Sequence, residues 1–271
     1  MRVAFVGAGQ IGAPMAERLL AAGHELTVYA RRAEVREHFA RLGAAVTDSL
    51  ADTARGAEVV HLALYSDEQL AEVTLGQDGL VGHLSPDALL LSHTTGSPTT
   101  VRRIAEAGNG HVVDAPFSGG ADDVLAGHLT VMLGGAPDDV VRARATVGAY
   151  ADPMLDIGTL GSALVVKLVN NALFAANIQL VAQAEQIAND LGVDTPTLAR
   201  VIQESSGASY VMGLIAAMGS TRSLVDAAGH YMRKDIDVVR EVVDGLGVDL
   251  GILGAVLDGG PARFEGRPDG P

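Results

Sequence analysis

The chain has 271 residues, enough for two packed units, and 48% hydrophobic against 19% charged residues is a globular balance that excludes global disorder. A formal net charge of −14 with only 4% aromatic residues excludes a binder of nucleic-acid backbones. Cysteine is absent, which excludes a disulfide framework, a thiolate nucleophile and a Cys-based metal site, and fits a cytoplasmic location.

The N-terminus runs directly into an apolar strand, so no signal peptide is expected. Strand-like runs at 3–6, 26–29, 59–64, 89–92, 111–114, 129–133 and 154–157 alternate with helix-length amphipathic segments. That rhythm predicts a doubly wound, mainly parallel α/β sheet of the Rossmann type. Ser97-Pro98 and Ala136-Pro137 put proline just inside predicted helix starts, where its missing N–H costs little. From residue 159 the alternation stops, and a helical pattern runs to 191, where Gly192 ends it. The charge-free stretch 168–184 contains Asn170, Asn171, Asn177, Gln179 and Gln183 and reads as a buried helix, not a membrane span. Later segments near 201, at 211–218 and at 236–246 keep helical spacing. The expected organisation is therefore a Rossmann domain over 1–158, an all-helical domain over 159–257 with a linking helix at 159–191, and a disordered Gly/Pro-rich tail over 258–271.

The first strand leads into Gly7-Ala8-Gly9-Gln10-Ile11-Gly12 and then a helical run. In a G-x-G-x-x-G loop the first glycine makes the turn, the second admits a pyrophosphate and the third lets helix pack on strand, so a dinucleotide is expected on Gly7, Gly9, Gln10, Ile11 and Gly12. The second strand ends Tyr29-Ala30-Arg31-Arg32, without the carboxylate that would bind a ribose 2′-hydroxyl. Two guanidinium groups suit a 2′-phosphate, so NADP(H) is expected rather than NAD(H).

Of the 19 basic residues only Lys167 and Lys234 are lysines. Arginine, with a pKa above about 12, is no proton donor near neutrality, whereas lysine can serve as one. Lys167 lies in the apolar segment Leu164-Val165-Val166-Lys167-Leu168-Val169-Asn170-Asn171, with Asn171 at i+4 on the same helix face. Asp114-Ala115-Pro116-Phe117-Ser118-Gly119-Gly120 follows a strand and sets a hydroxyl beside two glycine N–H groups open to a carboxylate.

Taken in order, these motifs resemble the β-hydroxyacid dehydrogenases, which include 3-hydroxyisobutyrate dehydrogenase, tartronate semialdehyde reductase and glyoxylate/succinic semialdehyde reductase. The glycine loop, the 114–120 D-A-P-x-S-G-G segment, the 127–135 G-x-L-x-x-M-x-G-G segment, the G-x-x-G…K-x-x-N-N set at Gly158, Gly161, Lys167, Asn170 and Asn171, and Lys234-Asp235-Ile236 carry the resemblance across residues 1–250. It implies hydride transfer between NADP(H) and a small carboxylated aldehyde or 3-hydroxy acid. Lys167 would be the acid/base, Ser118, Gly119, Gly120 and Asn171 would hold substrate, and Arg31, Arg32, Thr95 and Lys234 would serve cofactor binding. It also implies a homodimer or homotetramer through the helical domain. The chain departs from the pattern at Ala163, at Leu64-Tyr65, at Ser92 and after Gly254.

An imine reductase-like enzyme and a non-catalytic NADP-binding protein are the alternative expectations; Ser118-Gly119-Gly120 and Lys167 weigh against the first, and retention of Lys167 in a chain with only two lysines weighs against the second. The eight histidines are dispersed and most of them read as surface or loop residues, and no metal is expected. Asp122-Asp123 and Asp138-Asp139 read as solvated helix starts.

Overall fold

The computed structural model describes residues 1–264. The chain forms two compact units, Met1–Lys167 and Leu168 onward, so the division falls inside the long helix and not ahead of it at 158.

The first unit begins with β1 (Arg2–Val6), α1 (Gly12–Ala21), β2 (Glu25–Tyr29), α2 (Ala33–Arg41), β3 (Ala45–Thr47), α3 (Leu50–Ala54), β4 (Val59–Leu62) and α4 (Asp67–Leu75). It continues with β5 (Leu89–Ser92), α5 (Pro98–Ala107), β6 (Val112–Asp114), β7 (Phe117–Ser118), α6 (Ala121–Ala126), β8 (Leu129–Gly134), α7 (Pro137–Val147) and β9 (Ala151–Gly158). The sheet order is β3-β2-β1-β4-β5-β6-β8-β7, with β9 on β8. Strands β1 to β6 pair in parallel and β8 runs antiparallel to β6 and β7. This is the doubly wound nucleotide-binding arrangement, whose ligands lie beyond the carboxyl ends of the strands where strand order reverses.

Alternation along each strand feeds two cores. Val3, Phe5, Val59, Leu89 and Leu91 face α1 and α7, and Ala4, Val6, Val60, Leu62 and Leu90 face α3, α4 and α5. Each fully buried leucine contributes roughly 1.5–3 kcal/mol of transfer free energy. The expected strands are all present, but β3 and β7, with three and two residues, are too short to carry a period.

Two histidines lie inside this core: His61 in β4 and His93 after β5 are buried. His93 Nδ1 donates to the Ala115 carbonyl (2.7 Å), leaving Nε2 to accept from the Tyr150 hydroxyl (2.8 Å). His61 Nδ1 lies 3.2 Å from the same hydroxyl, and its Nε2 lies 2.9 Å from Thr146 Oγ1. Asp139 is likewise buried and not solvated, because His111 (3.0 Å) and Arg142 (3.1 Å) close on it.

The helix α8 (Ser162–Asp190) is 29 residues long. By length and composition it could cross a membrane, yet half of its most apolar window is buried by the protein's own packing. The second unit takes this helix from Leu168 and adds α9 (Thr195–Gln203), α10 (Tyr210–Met218), α11 (Thr221–Gly245) and α12 (Ile252–Gly259). Leu168 and Ala172 pack with Val239 and Val242, Ala175 and Ala176 with Ile236, and Ile178 and Val181 with Met232 and Leu224. The order descends along α11 as it ascends along α8, so the two helices are antiparallel. Glu185 of α8 joins two other helix starts, accepting from the Thr195 hydroxyl (2.9 Å) and the Thr221 amide (3.1 Å).

The expected disordered tail is corrected over 258–264. Asp258 belongs to α12, and buried Gln179 grips Ala262 through both main-chain groups, at 2.8 and 2.9 Å. Residues 265–271 of that expectation lie outside the described residues.

Candidate active site

The three glycines of the first loop do three different things. A Cβ on Gly7 (φ +99°) would meet the Ala63 carbonyl oxygen at 2.2 Å, and one on Gly12 would meet the Gly7 oxygen at 2.1 Å. Gly9 has nothing within 4 Å of that position, so its free side is open. Downstream, α1 has no side-chain cap and no acidic residue in its first turn, which leaves N–H donors and a positive helix end for an anion. A loop closed on two sides and open on the third fits a pyrophosphate, and Gln10 and Ile11 lie within it.

After β2, the exposed Arg31 and Arg32 stand where a ribose-binding carboxylate would be, and Arg32 is the N-cap of α2. Arg36 Nη1 donates to the carbonyls of Ala30 (2.6 Å) and Arg31 (2.8 Å), bracing this corner. Thr95, half-buried, precedes Gly96, whose Cα is packed against Asp67. Asp67 accepts from the Ser97 amide (3.0 Å) and the Thr100 hydroxyl, anchoring the start of α5. Burial raises its carboxyl pKa, and those hydrogen bonds pull it back in part.

Asp114 ends β6 fully buried. Gly161 N–H donates to its Oδ1 (2.7 Å) and Leu164 N–H to its Oδ2 (2.8 Å), so its carboxylate caps α8 from far away in sequence. Burial raises its pKa, against the lowering effect of these amides. Half-buried Lys167 follows Leu164 within one helical turn. Four residues beyond Asp114, Ser118 is exposed in β7, and Gly119 adopts φ +130°, a conformation closed to other residues at low cost.

The Gly120 N–H donates to Asp123 Oδ2 (2.7 Å), closing half of a capping box at the start of α6, so this amide, expected to bind a carboxylate, is engaged within the chain. The glycine-to-acid spacing of three could have revealed this.

In the second unit, Asn171 Nδ2 donates to Asp235 Oδ2 (3.0 Å), and Lys234 Nζ lies 3.7 Å from Asp235 Oδ1. Asp235 of the Lys234-Asp235-Ile236 motif therefore hydrogen-bonds an expected substrate ligand and pairs with an expected cofactor ligand. Lys167 and Asn171 belong to one helix, four residues apart.

Comparison with known proteins agrees with this geometry. Residues 2–161 match the NAD binding domain of 6-phosphogluconate dehydrogenase, and residues 161–258 match the NAD-binding domain of NADP-dependent 3-hydroxyisobutyrate dehydrogenase. The NAD-dependent L-serine dehydrogenase of Pseudomonas aeruginosa is 31% identical over 251 residues, covering 89% of this chain and 84% of that protein. The 3-hydroxyisobutyrate dehydrogenase of the same organism is 32% identical over 215 residues, covering 78% and 72%. The structure of Mycobacterium tuberculosis 3-hydroxyisobutyrate dehydrogenase with L-serine superposes with a TM-score of 0.84 at 25% identity, covering 95% of this chain and 92% of that one. A Myxococcus stipitatus imine reductase, at 17% identity and a TM-score of 0.70, shares the fold. The family models matched over residues 2–258, and relatives more than 30% identical over most of both chains, place the chain in the β-hydroxyacid dehydrogenase family, as an NAD(P)-dependent oxidoreductase whose glycine loop lies at the switch point of a 3-2-1-4-5-6 sheet.

Proposed function

We propose that this enzyme interconverts a small carboxylated aldehyde and its 3-hydroxy acid using NADP(H), with Lys167 as the acid/base. The observation that carries the reading is the single carboxylate of Asp114, which ends the strand leading to Ser118 and Gly119 and receives the first amides of the helix bearing Lys167. Gly7, Gly9 and Gly12 hold the cofactor pyrophosphate at the open side of Gly9, Thr95 and Lys234 take further parts of the cofactor, and Arg31 and Arg32 grip the 2′-phosphate. Support for NADP over NAD is the exposure of both guanidiniums on a corner that Arg36 has braced. When bound, the nicotinamide supplies or receives the hydride.

The chain's own residues do the rest. The Ser118 hydroxyl and the Gly119 N–H bind the substrate carboxylate, fixing the reacting carbon. Lys167 gives its proton to the carbonyl oxygen during reduction and takes it back during oxidation, and Asn171 orients that oxygen. We further propose a homodimer or homotetramer built on α8, whose exposed Val169, Leu173, Leu180 and Ile187 recur at spacings of four and seven along one stripe that a second copy would cover.

The testing experiment follows NADPH and NADH oxidation with glyoxylate, succinic, tartronate and methylmalonate semialdehydes and a cyclic imine. Turnover with one carboxylated aldehyde and a preference for NADPH is the expected result. Binding of NADPH without any turnover would leave a non-catalytic protein.

The engaged Gly120 amide favours a second reading, an imine reductase-like enzyme that needs no full carboxylate clamp. Asp123 separates the two. Asp123→Asn keeps an acceptor for Gly120 but removes the charge, and Asp123→Ala also frees the amide. Both should lower KM for a carboxylated aldehyde, the alanine by on the order of tenfold through one charge-assisted hydrogen bond, with KM for NADPH unchanged. A KM that instead falls only for the imine would support the second reading.

A further inference from the structure

We infer that Asp114 is a positioning residue for Lys167, holding the first turn of α8 at the depth and rotation that catalysis requires; the inference rests on Lys167 being the acid/base. Asp114 spends both carboxylate oxygens on that turn, through the amides of Gly161 and Leu164, 47 and 50 residues away in sequence. A helix start leaves up to four N–H groups without partners, and a nearby Ser, Thr or Asp usually satisfies them. Here the cap comes instead from the strand end that continues into Ser118 and Gly119. One rigid group thereby sets the relative placement of the proposed carboxylate clamp and the proposed proton donor.

The surroundings leave that carboxylate little freedom. A Cβ on Gly134, the residue paired with Asp114 across the antiparallel β6–β8 contact, would lie 2.5 Å from Asp114 Oδ1 and 3.1 Å from the Ala163 nitrogen. Backbone of β8 therefore backs the carboxylate against the helix start, and only glycine permits it. Gly161 enters the helix at φ +91°, and a Cβ there would meet Pro98 and Arg102 at 3.1 Å. Two glycines and a buried acid with no solvent contact make a fixed seat for the turn that leads, three residues later, to Lys167. Displacing a reacting group by about 1 Å can cost about 10²-fold in rate without loss of binding.

Asp114→Asn preserves size but presents an NH₂ group to one backbone N–H, which breaks one of the two bonds. Gly134→Ala keeps the carboxylate and its charge and pushes it from its seat. In both variants kcat on the best substrate should fall about 10- to 100-fold. The dissociation constant of NADPH, read by fluorescence without substrate, should stay within about twofold because the glycine loop is untouched. Amide hydrogen exchange should quicken over 161–167 and stay slow across β1, β4 and β5. If Asp114→Asn does not fold, Gly134→Ala decides. A kcat unchanged in the folded variants overturns the inference, and so does a loss of NADPH affinity and of sheet protection in step with kcat, which is the mark of a merely structural residue. A fully active Lys167→Ala enzyme would bring down the acid/base reading beneath it, whereas an inactive Lys167→Ala enzyme beside an active Asp114→Asn enzyme removes the positioning role alone.

Discussion

Replacing Lys167 with alanine is expected to lower kcat by about 10²- to 10⁴-fold, the usual contribution of a positioned general acid, while NADPH affinity stays within about twofold. The separation follows from placement. The pyrophosphate and 2′-phosphate groups of the cofactor are proposed to sit on the glycine loop and the corner after β2, with Thr95 and Lys234 taking further parts, and none of these residues is Lys167, which stands on α8 beyond the turn seated on Asp114. Lys167→Arg tests the role further, because it keeps a positive charge of similar reach but presents a group that holds its proton at any working pH. If Lys167 only stabilised developing negative charge, the arginine enzyme would retain much of its activity. If it transfers a proton, the arginine enzyme is as slow as the alanine one. Steady-state kinetics of the three proteins with NADPH and the best carboxylated aldehyde make the comparison, and an arginine variant near wild-type turnover would retire the proton-transfer role.

The features legible in sequence are those written locally. The glycine loop shows in six consecutive residues because turn, ligand approach and helix packing each demand a missing side chain, and the structure separates those demands on Gly7, Gly9 and Gly12. The strands β1, β2, β4 and β5 announce themselves as apolar runs because they are covered on both faces. What stayed hidden depends on partners distant in the chain. No spacing rule joins Asp114 to Gly161 and Leu164, or Asn171 to Asp235. The same holds for Gln179 and Ala262, whose bonds keep a glycine- and proline-rich stretch in place that by composition alone has little to bury. The burial of two histidines is hidden for a related reason: His61 and His93 enter the core only because Thr146 and Tyr150 from one segment and the Ala115 carbonyl from another satisfy them.

That buried pair has a consequence for stability. Burial lowers the pKa of His61 well below the ordinary histidine value, and the neighbouring His93 adds to the lowering. Burial likewise brings His93 down to about 4, although its hydrogen bond to Ala115 works in the opposite direction. Both rings are thus neutral in the folded protein where an unfolded chain would protonate them. Below pH 6.5 the unfolded state binds more protons than the native state, so unfolding free energy must fall as pH falls through that value and keep falling until the folded pKa is reached. For His93 the window runs from 6.5 to about 4 and corresponds to about 3 kcal/mol, with His61 acting in the same direction. Near pH 5 His93 contributes a slope of about 1 kcal/mol per pH unit, and His61 adds to it in the same direction. Asp67 and Asp114, whose pKa values are raised by burial, act with the opposite sign but start from the carboxylate range, below the upper part of this window. Urea unfolding between pH 7 and 5 should therefore show a steep acid loss of stability. His93→Gln retains a donor for Ala115 and an acceptor for Tyr150 but cannot be protonated there, so it should remove the His93 share of the slope, whatever its effect on stability at pH 7. A wild-type protein equally stable at pH 7 and pH 5, or a His93→Gln protein with the wild-type slope, would mean that these rings are not held neutral by the core.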